Sequence, residues 1–257
     1  MLDLLQLMID GLLDGGVYAL LGLGLSLTFG CLKRLNLAYG ATAMLAAYLG
    51  AYLHSRYQIS VWGIAVCVIG SAIVIGVYVE QLCFSRTWEG PGQHGGGSGL
   101  WTAGTDGREI VALASSFAIW MQLEQLAVNL LPRHLNPFPS LAYEHDWLLP
   151  ILGGDLMIRL DRLGLAVLGV VMVLGLALWV ERSRTGLAWR ATADHRMAAY
   201  LVGIPVSQAQ SVAFAVACGI SGLAAFAVLA LDGQVTPMFG MWMLLKGLVA
   251  AMLGGLG

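Results

Sequence analysis

Charge is the scarcest resource in this sequence. Of its 257 residues only 11% are charged, 13 basic and 15 acidic, against 58% hydrophobic. A soluble domain carries roughly 25% charged residues, so a water-facing surface for a chain this long is excluded. Cysteine is sparse as well. Cys31, Cys67, Cys83 and Cys218 stand far apart with no Cys-x-x-Cys pair. That excludes a disulfide framework and leaves them as small buried hydrophobes. His54, His94, His134, His145 and His195 fall into no ligand spacing, so neither a metal site nor a cofactor is expected. The opening "MLDLLQLMID" has no basic segment and no cleavage site of a signal peptide.

Nucleotide motifs are missing in substance too. "GPGQHG", Gly90–Gly95, satisfies G-x-G-x-x-G literally, but no strand precedes it, no helix pattern follows, and Pro91 disfavours the tight turn. "GLWTAGTD", Gly99–Asp106, spaces two glycines like a P-loop but puts Thr105 and Asp106 where Lys and Ser/Thr must hold phosphate and magnesium. The chain is expected to hold no ATP site, and no nucleic-acid partner is expected. Residues 85–109 read as a Gly-rich cytoplasmic loop.

What is present is long uncharged runs: Leu35–Leu53, Tyr57–Val79, Leu163–Val180 and Met197–Leu231. A helix needs about 20 residues to cross a hydrocarbon core of about 30 Å, and such runs do not alternate as barrel strands do. The expected fold is all-α, one polytopic transmembrane helix bundle over 1–257. About seven spans are expected: one ending at Leu32, then Leu37–Leu53, Val61–Cys83, Ile110–Leu131, Leu163–Val180, Ser211–Leu231, and an incomplete seventh from Phe239. With spans alternating, Lys33, Arg34, Arg86, Arg108, Arg182, Arg184, Arg190 and Arg196 fall on one side. Arg56, Arg133, Arg159 and Arg162 fall on the other. The positive-inside rule then puts 181–210 in the cytoplasm and the N-terminus outside.

Charge concentrates in one place. Glu181, Arg182, Arg184, Arg190, Asp194 and Arg196 sit within a short stretch ahead of "MAAYLVGIP". Helix-forming residues run without a breaker from Leu187 to Val202, Gly203 is placed for a left-handed cap, and Pro205 forbids resumption. Ser207 with Gln210 reads as a capping box for the next helix. A solvated basic loop that only sets topology is the plainer reading. Ala198 and Ala199 favour a docking helix instead, because small residues let another surface approach the backbone.

"MAAYLVGIP" resembles the cytoplasmic Ala-Ala, three residues, Gly motif through which permeases of ATP-binding-cassette (ABC) importers dock on their ATPases. Gly11–Leu53, Glu181–Ala225 and Gly233–Gly257, with its Gly-Gly-x-Gly helix, resemble the branched-chain amino-acid permease family. That resemblance implies a bacterial inner-membrane subunit paired with a second homologous permease, two cytoplasmic ATPases and a periplasmic binding protein. ATP hydrolysis would lie on the partners, so the chain itself is not expected to be an enzyme. Arg190, Asp194, Ala198, Ala199 and Gly203 would form the ATPase-coupling surface. The family continues into an eighth span, so ending at Gly257 is expected to mean C-terminal truncation.

Polar groups inside spans are costly in lipid and mark candidate pathways. These are Asn36, Tyr39, Glu124 and Lys246, with Glu124 and Lys246 a potential ion pair. Glu80 is expected at the interface, and Ser26 between Gly22 and Gly30 at a close helix contact. Within the family, urea and short-chain amides are alternatives to leucine, isoleucine and valine. Outside it stand an ion-coupled secondary transporter, using Glu124, and an assembly subunit that moves nothing.

Overall fold

The computed structural model describes residues 2–32, 36–83, 105–130, 138–139, 146–151 and 154–255. Among them run α1 (Leu2–Leu32), α2 (Ala38–Tyr57), α3 (Val61–Cys83), α4 (Thr105–Leu130) and α5 (Leu160–Arg182). The short α6 (Arg184–Asp194) and α7 (Arg196–Leu201) follow, then α8 (Val206–Asp232) and α9 (Phe239–Gly254). Each of the seven expected spans falls on a helix, α1 to α5, α8 and α9, of which five qualify as spans by length and apolarity, and α3 occupies the expected residues. The two nucleotide-like stretches fall almost wholly outside the described residues. Thr105–Glu109, expected as the end of a loop, instead opens α4.

Five of these helices are long and apolar enough to cross a membrane: Gln6–Gly30, Val61–Cys83, Ile110–Asn129, Leu160–Arg182 and Val206–Asp232. The chain is therefore a multi-pass membrane protein. α9 is a shorter apolar helix. α2 is long enough but carries Tyr39, Tyr48, Tyr52, His54, Arg56 and Tyr57. Its neighbours cover its first half, with Ala38 through Tyr48 all buried, while Arg56 and Tyr57 at its end are exposed. α5 is the opposite case: strongly apolar, yet only Gly169 is buried, so most of its surface is left for lipid or another subunit.

Lipid supplies no hydrophobic drive between helices, so close packing of small residues must hold them together. α1 crosses α5 where Gly16 meets Gly169, and α2 crosses α9 where Gly40 meets Gly240. α1 also lies along α9, with Gly22 against Ala250 and Ala251 and Gly247 against Leu21 and Leu25. A Cβ on Gly30 would meet nothing among the described residues, so of the two glycines flanking Ser26 only Gly22 marks a close helix contact there. α3 and α8 pack through Gly76 on Cys218 and Gly222 on Ala72.

One element was not expected. Within the connection between α4 and α5, β1 (Asp146–Ile151) pairs antiparallel with β2 (Gly154–Arg159), Asp146 opposite Arg159 and Ile151 opposite Gly154. Gly153-Gly154 between two apolar runs is the local signal for such a hairpin. The hairpin leads directly into α5.

Glu80 is a correction. It is 4% exposed rather than interfacial, its carboxyl set beside Ser211 of α8. A buried acid needs such a polar neighbour.

Candidate functional site

Two features stand at opposite ends of the same helices. The first is a cavity of about 830 Å³ bounded by α1, the start of α5, the end of α8, the α8–α9 connection and the first half of α9. Its charged lining is two acids, Asp14 and Asp232, and two bases, Arg162 and Lys246. Val17, Leu21, Val228, Leu231 and Met243 supply apolar wall, with Tyr18, Phe239 and Trp242 as aromatic wall. Arg162 is held between two carboxylates, 4.0 Å from Asp10 and 3.6 Å from Asp14. Lys246 has no carboxylate partner among the described residues; its Nζ lies 5.2 Å from the centre of the Tyr18 ring, a cation–π position. The potential ion pair of Lys246 with Glu124 does not form: Glu124 is half-buried on α4 and away from the cavity lining.

The second feature is an elbow between α5 and α8. Ser183 breaks the helix in extended conformation, and its hydroxyl accepts a hydrogen bond from the Gly186 amide at 2.9 Å, an N-cap for α6. Trp189 then anchors α6 to the bundle. It is 3% exposed, packs edge-on against Trp179 at 5.0 Å, and sits in a cluster with Ala209 and Ala213 of α8. Its indole N–H has no partner among the described residues. Trp189→Phe should therefore leave stability unchanged or slightly raised, because it removes an unsatisfied donor. Trp189→Ala should cost about 3–5 kcal/mol, and thermal unfolding of the two purified variants checks both.

The single helix expected over 187–202 is two helices. His195 is extended, φ −143° and ψ 97°, ending α6 and starting α7. The break folds α7 back against α6 and α8, which turns Ala199 inward to 4% exposure while Ala198 faces out. Gly203 does form the left-handed cap, φ +89°, with its N–H on the Tyr200 carbonyl and that of Ile204 on Ala199. The Ser207–Gln210 capping box does not form: α8 begins at Val206 behind Pro205, with no side-chain cap. Arg190 and Asp194 are exposed on α6. Beside them Leu187, Met197, Tyr200, Leu201 and Val202 expose large apolar side chains, Leu201 and Val202 by 76% and 81%.

Asn36 and Tyr39 lie inside the bundle, away from the cavity lining. Both are essentially fully buried. Asn36 Oδ1 accepts the Ala38 amide at 3.0 Å, and Ser116 of α4 accepts the Leu37 amide at 3.4 Å. Such non-helical backbone is tolerated at this depth only where protein covers and satisfies it. The Asn36 amide nitrogen has no partner among the described residues, while the Tyr39 hydroxyl is set beside Ser221 of α8. Of the four pathway candidates only Lys246 reaches the cavity. Arg162 was legible in the sequence only as a topology charge, and Asp14, Asp232, Tyr18 and Trp242 carried no signal for the cavity.

A membrane bundle with a polar-and-apolar cavity at one end and an apolar elbow at the other, joined by continuous helices, has the parts that a transport permease needs. A model of the family described as branched-chain amino acid transport system, permease component, matches residues 7–85 and 96–257. The chain belongs to that family. The match passes over residues 86–95, within the Gly-rich stretch that sets this sequence apart. The chain is similar to the high-affinity branched-chain amino acid transport system permease protein BraD of Pseudomonas aeruginosa, 22% identical over 261 residues, covering 98% of this chain and 80% of that one. It is similar to LivH, of the same description, from Salmonella typhimurium and Escherichia coli. Identities there are 22% and 21% over 265 residues, covering 98% of this chain and 79% of each relative. No solved structure matches it significantly.

Proposed function

We propose that the chain is a permease subunit of an ABC importer that moves branched-chain amino acids across a bacterial inner membrane, with its N-terminus periplasmic. It would act with a second homologous permease, two cytoplasmic ATPases that hydrolyse the ATP, and a periplasmic binding protein. One observation carries this reading: the elbow joins α5 to α8, and the far ends of those helices supply Arg162 and Asp232 to the cavity. At 1.5 Å per residue the two helices span about 34 and 40 Å. A partner that grips the exposed apolar residues of the elbow therefore holds two rigid levers whose other ends border the cavity. Alternating access needs such a connection between an energised partner and a substrate-sized space.

The relatives' named substrate and the aliphatic part of the cavity wall favour branched-chain amino acids over urea. An ion-coupled mechanism needs an acid in the substrate space; Glu124 does not line it, but Asp14 and Asp232 do, so dependence on ATP is what separates the two readings.

The test is uptake by the assembled complex in proteoliposomes. Leucine accumulation should require internal ATP and be competed by isoleucine and valine. Uptake that follows a proton gradient without ATPases would establish the ion-coupled transporter instead. Uptake of urea or acetamide alone would reassign the substrate.

A further inference from the structure

We propose that the cavity itself binds the zwitterion of an aliphatic α-amino acid, with Lys246 taking its carboxylate and Asp232 its ammonium group. The inference rests on the permease reading and gives the chain a substrate station of its own, beyond whatever a binding protein selects.

The charges that line the cavity cancel, two acids against two bases. A lining that carries both signs suits a molecule that carries one charge of each. Two of the four are already engaged, because Arg162 is in ion-pair contact with Asp14 and with Asp10 beyond the lining. The remaining pair, Lys246 and Asp232, has no ion-pair partner among the described residues.

Lys246 is the more telling of the two. It is exposed on the cavity side, seven residues into an apolar helix and about 10 Å along its axis, where within a membrane an ammonium group is costly unless something answers its charge. The Tyr18 ring answers part of it. A carboxylate would answer the rest through charge-assisted hydrogen bonds, which are about twice as strong as neutral ones. Val17, Leu21, Val228, Leu231 and Met243 offer an aliphatic side chain the apolar remainder of the wall. The volume of about 830 Å³ lies within the range of roughly 300–1,000 Å³ typical of small-molecule sites.

Three probes separate the two ends of the ligand: L-leucine, 4-methylpentanoate without the ammonium group, and 3-methylbutylamine without the carboxylate. Binding to the full chain in nanodiscs, with no binding protein present, is read by saturation-transfer NMR titration. Lys246→Met should weaken leucine and 4-methylpentanoate about tenfold and leave 3-methylbutylamine unchanged. Asp232→Asn should weaken leucine and 3-methylbutylamine and spare 4-methylpentanoate, and Lys246→Arg should restore carboxylate binding. Absence of saturable leucine binding by the wild type overturns the proposal, and so does equal weakening of all three probes by both variants. If ATP-driven leucine uptake by the assembled complex survives that result, the permease reading stands and only the station falls. If uptake is absent as well, both fall.

Discussion

Leu201→Asp combined with Val202→Asp should abolish capture of the ATPase by the detergent-solubilised chain while expression and membrane insertion stay normal. These two side chains are the most exposed apolar groups of the elbow, so the charges disturb nothing inside this chain. Burying a central apolar anchor in a protein interface is worth about 2 kcal/mol or more when it is lost. Two such losses, near 4 kcal/mol, weaken binding roughly a thousandfold, since 1.4 kcal/mol is a factor of ten. ATP-driven uptake should fall with capture. The placement of Ala199 makes the contrast informative. Because it packs inward, Ala199→Glu should damage the elbow's own fold, lowering the melting temperature as well as capture. Ala198→Glu, on the exposed side, should affect capture alone. Undiminished capture by the Leu201 and Val202 double variant would remove this surface from the coupling role.

The second large effect is expected at the crossing of α2 and α9. A Cβ on Gly40 would overlap the Gly240 carbonyl oxygen, and a Cβ on Gly240 would come within 2.8 Å of the Gly40 oxygen. Backbone cannot swing aside as a side chain can, so Gly40→Val must push the helices apart. Overpacking costs typically 1–3 kcal/mol where side chains yield, and here the cost should reach the upper end or beyond. Folded, monodisperse protein should be lost in size-exclusion chromatography. Gly40→Ala should show a milder loss, and Gly175→Val, at a glycine with nothing within 4 Å, should behave as wild type. Normal behaviour of Gly40→Val would mean that α2 and α9 do not meet as described.

Much of this architecture was legible along the chain because a membrane span is a one-dimensional property. Length without charge identifies it, and Val61–Cys83 emerged with both ends correct. The elbow was half legible. Gly203 and Pro205 act through their own backbones, so the stop they impose can be read locally. The break at His195 cannot, since no proline or glycine marks it; it arises from folding α7 back onto α6 and α8. The inward turn of Ala199 follows from that break, so the sequence offered Ala198 and Ala199 as equals. The capping box failed for a related reason: α8 starts one residue before Ser207, and the pattern fits only if Ser207 itself stands at the cap. The cavity was the least legible part. Asp14, Arg162, Asp232 and Lys246 come from four helices, and nothing in their spacing announces that they share a space.

The burial of α2 bears on how the protein is made. A helix leaves the translocon for lipid according to its own apolarity, and α2, with its tyrosines, His54 and Arg56, is poorly qualified by that measure. Its comfort comes from neighbours, and two of them, α8 and α9, lie far later in the chain. At translation rates of about 5–20 residues per second, α8 emerges on the order of ten seconds after α2. During that interval the early helices must hold α2 at the translocon or against α3. Biogenesis of this permease is therefore a waiting problem, and its most vulnerable moment comes while its second helix is finished and its eighth is not yet synthesised.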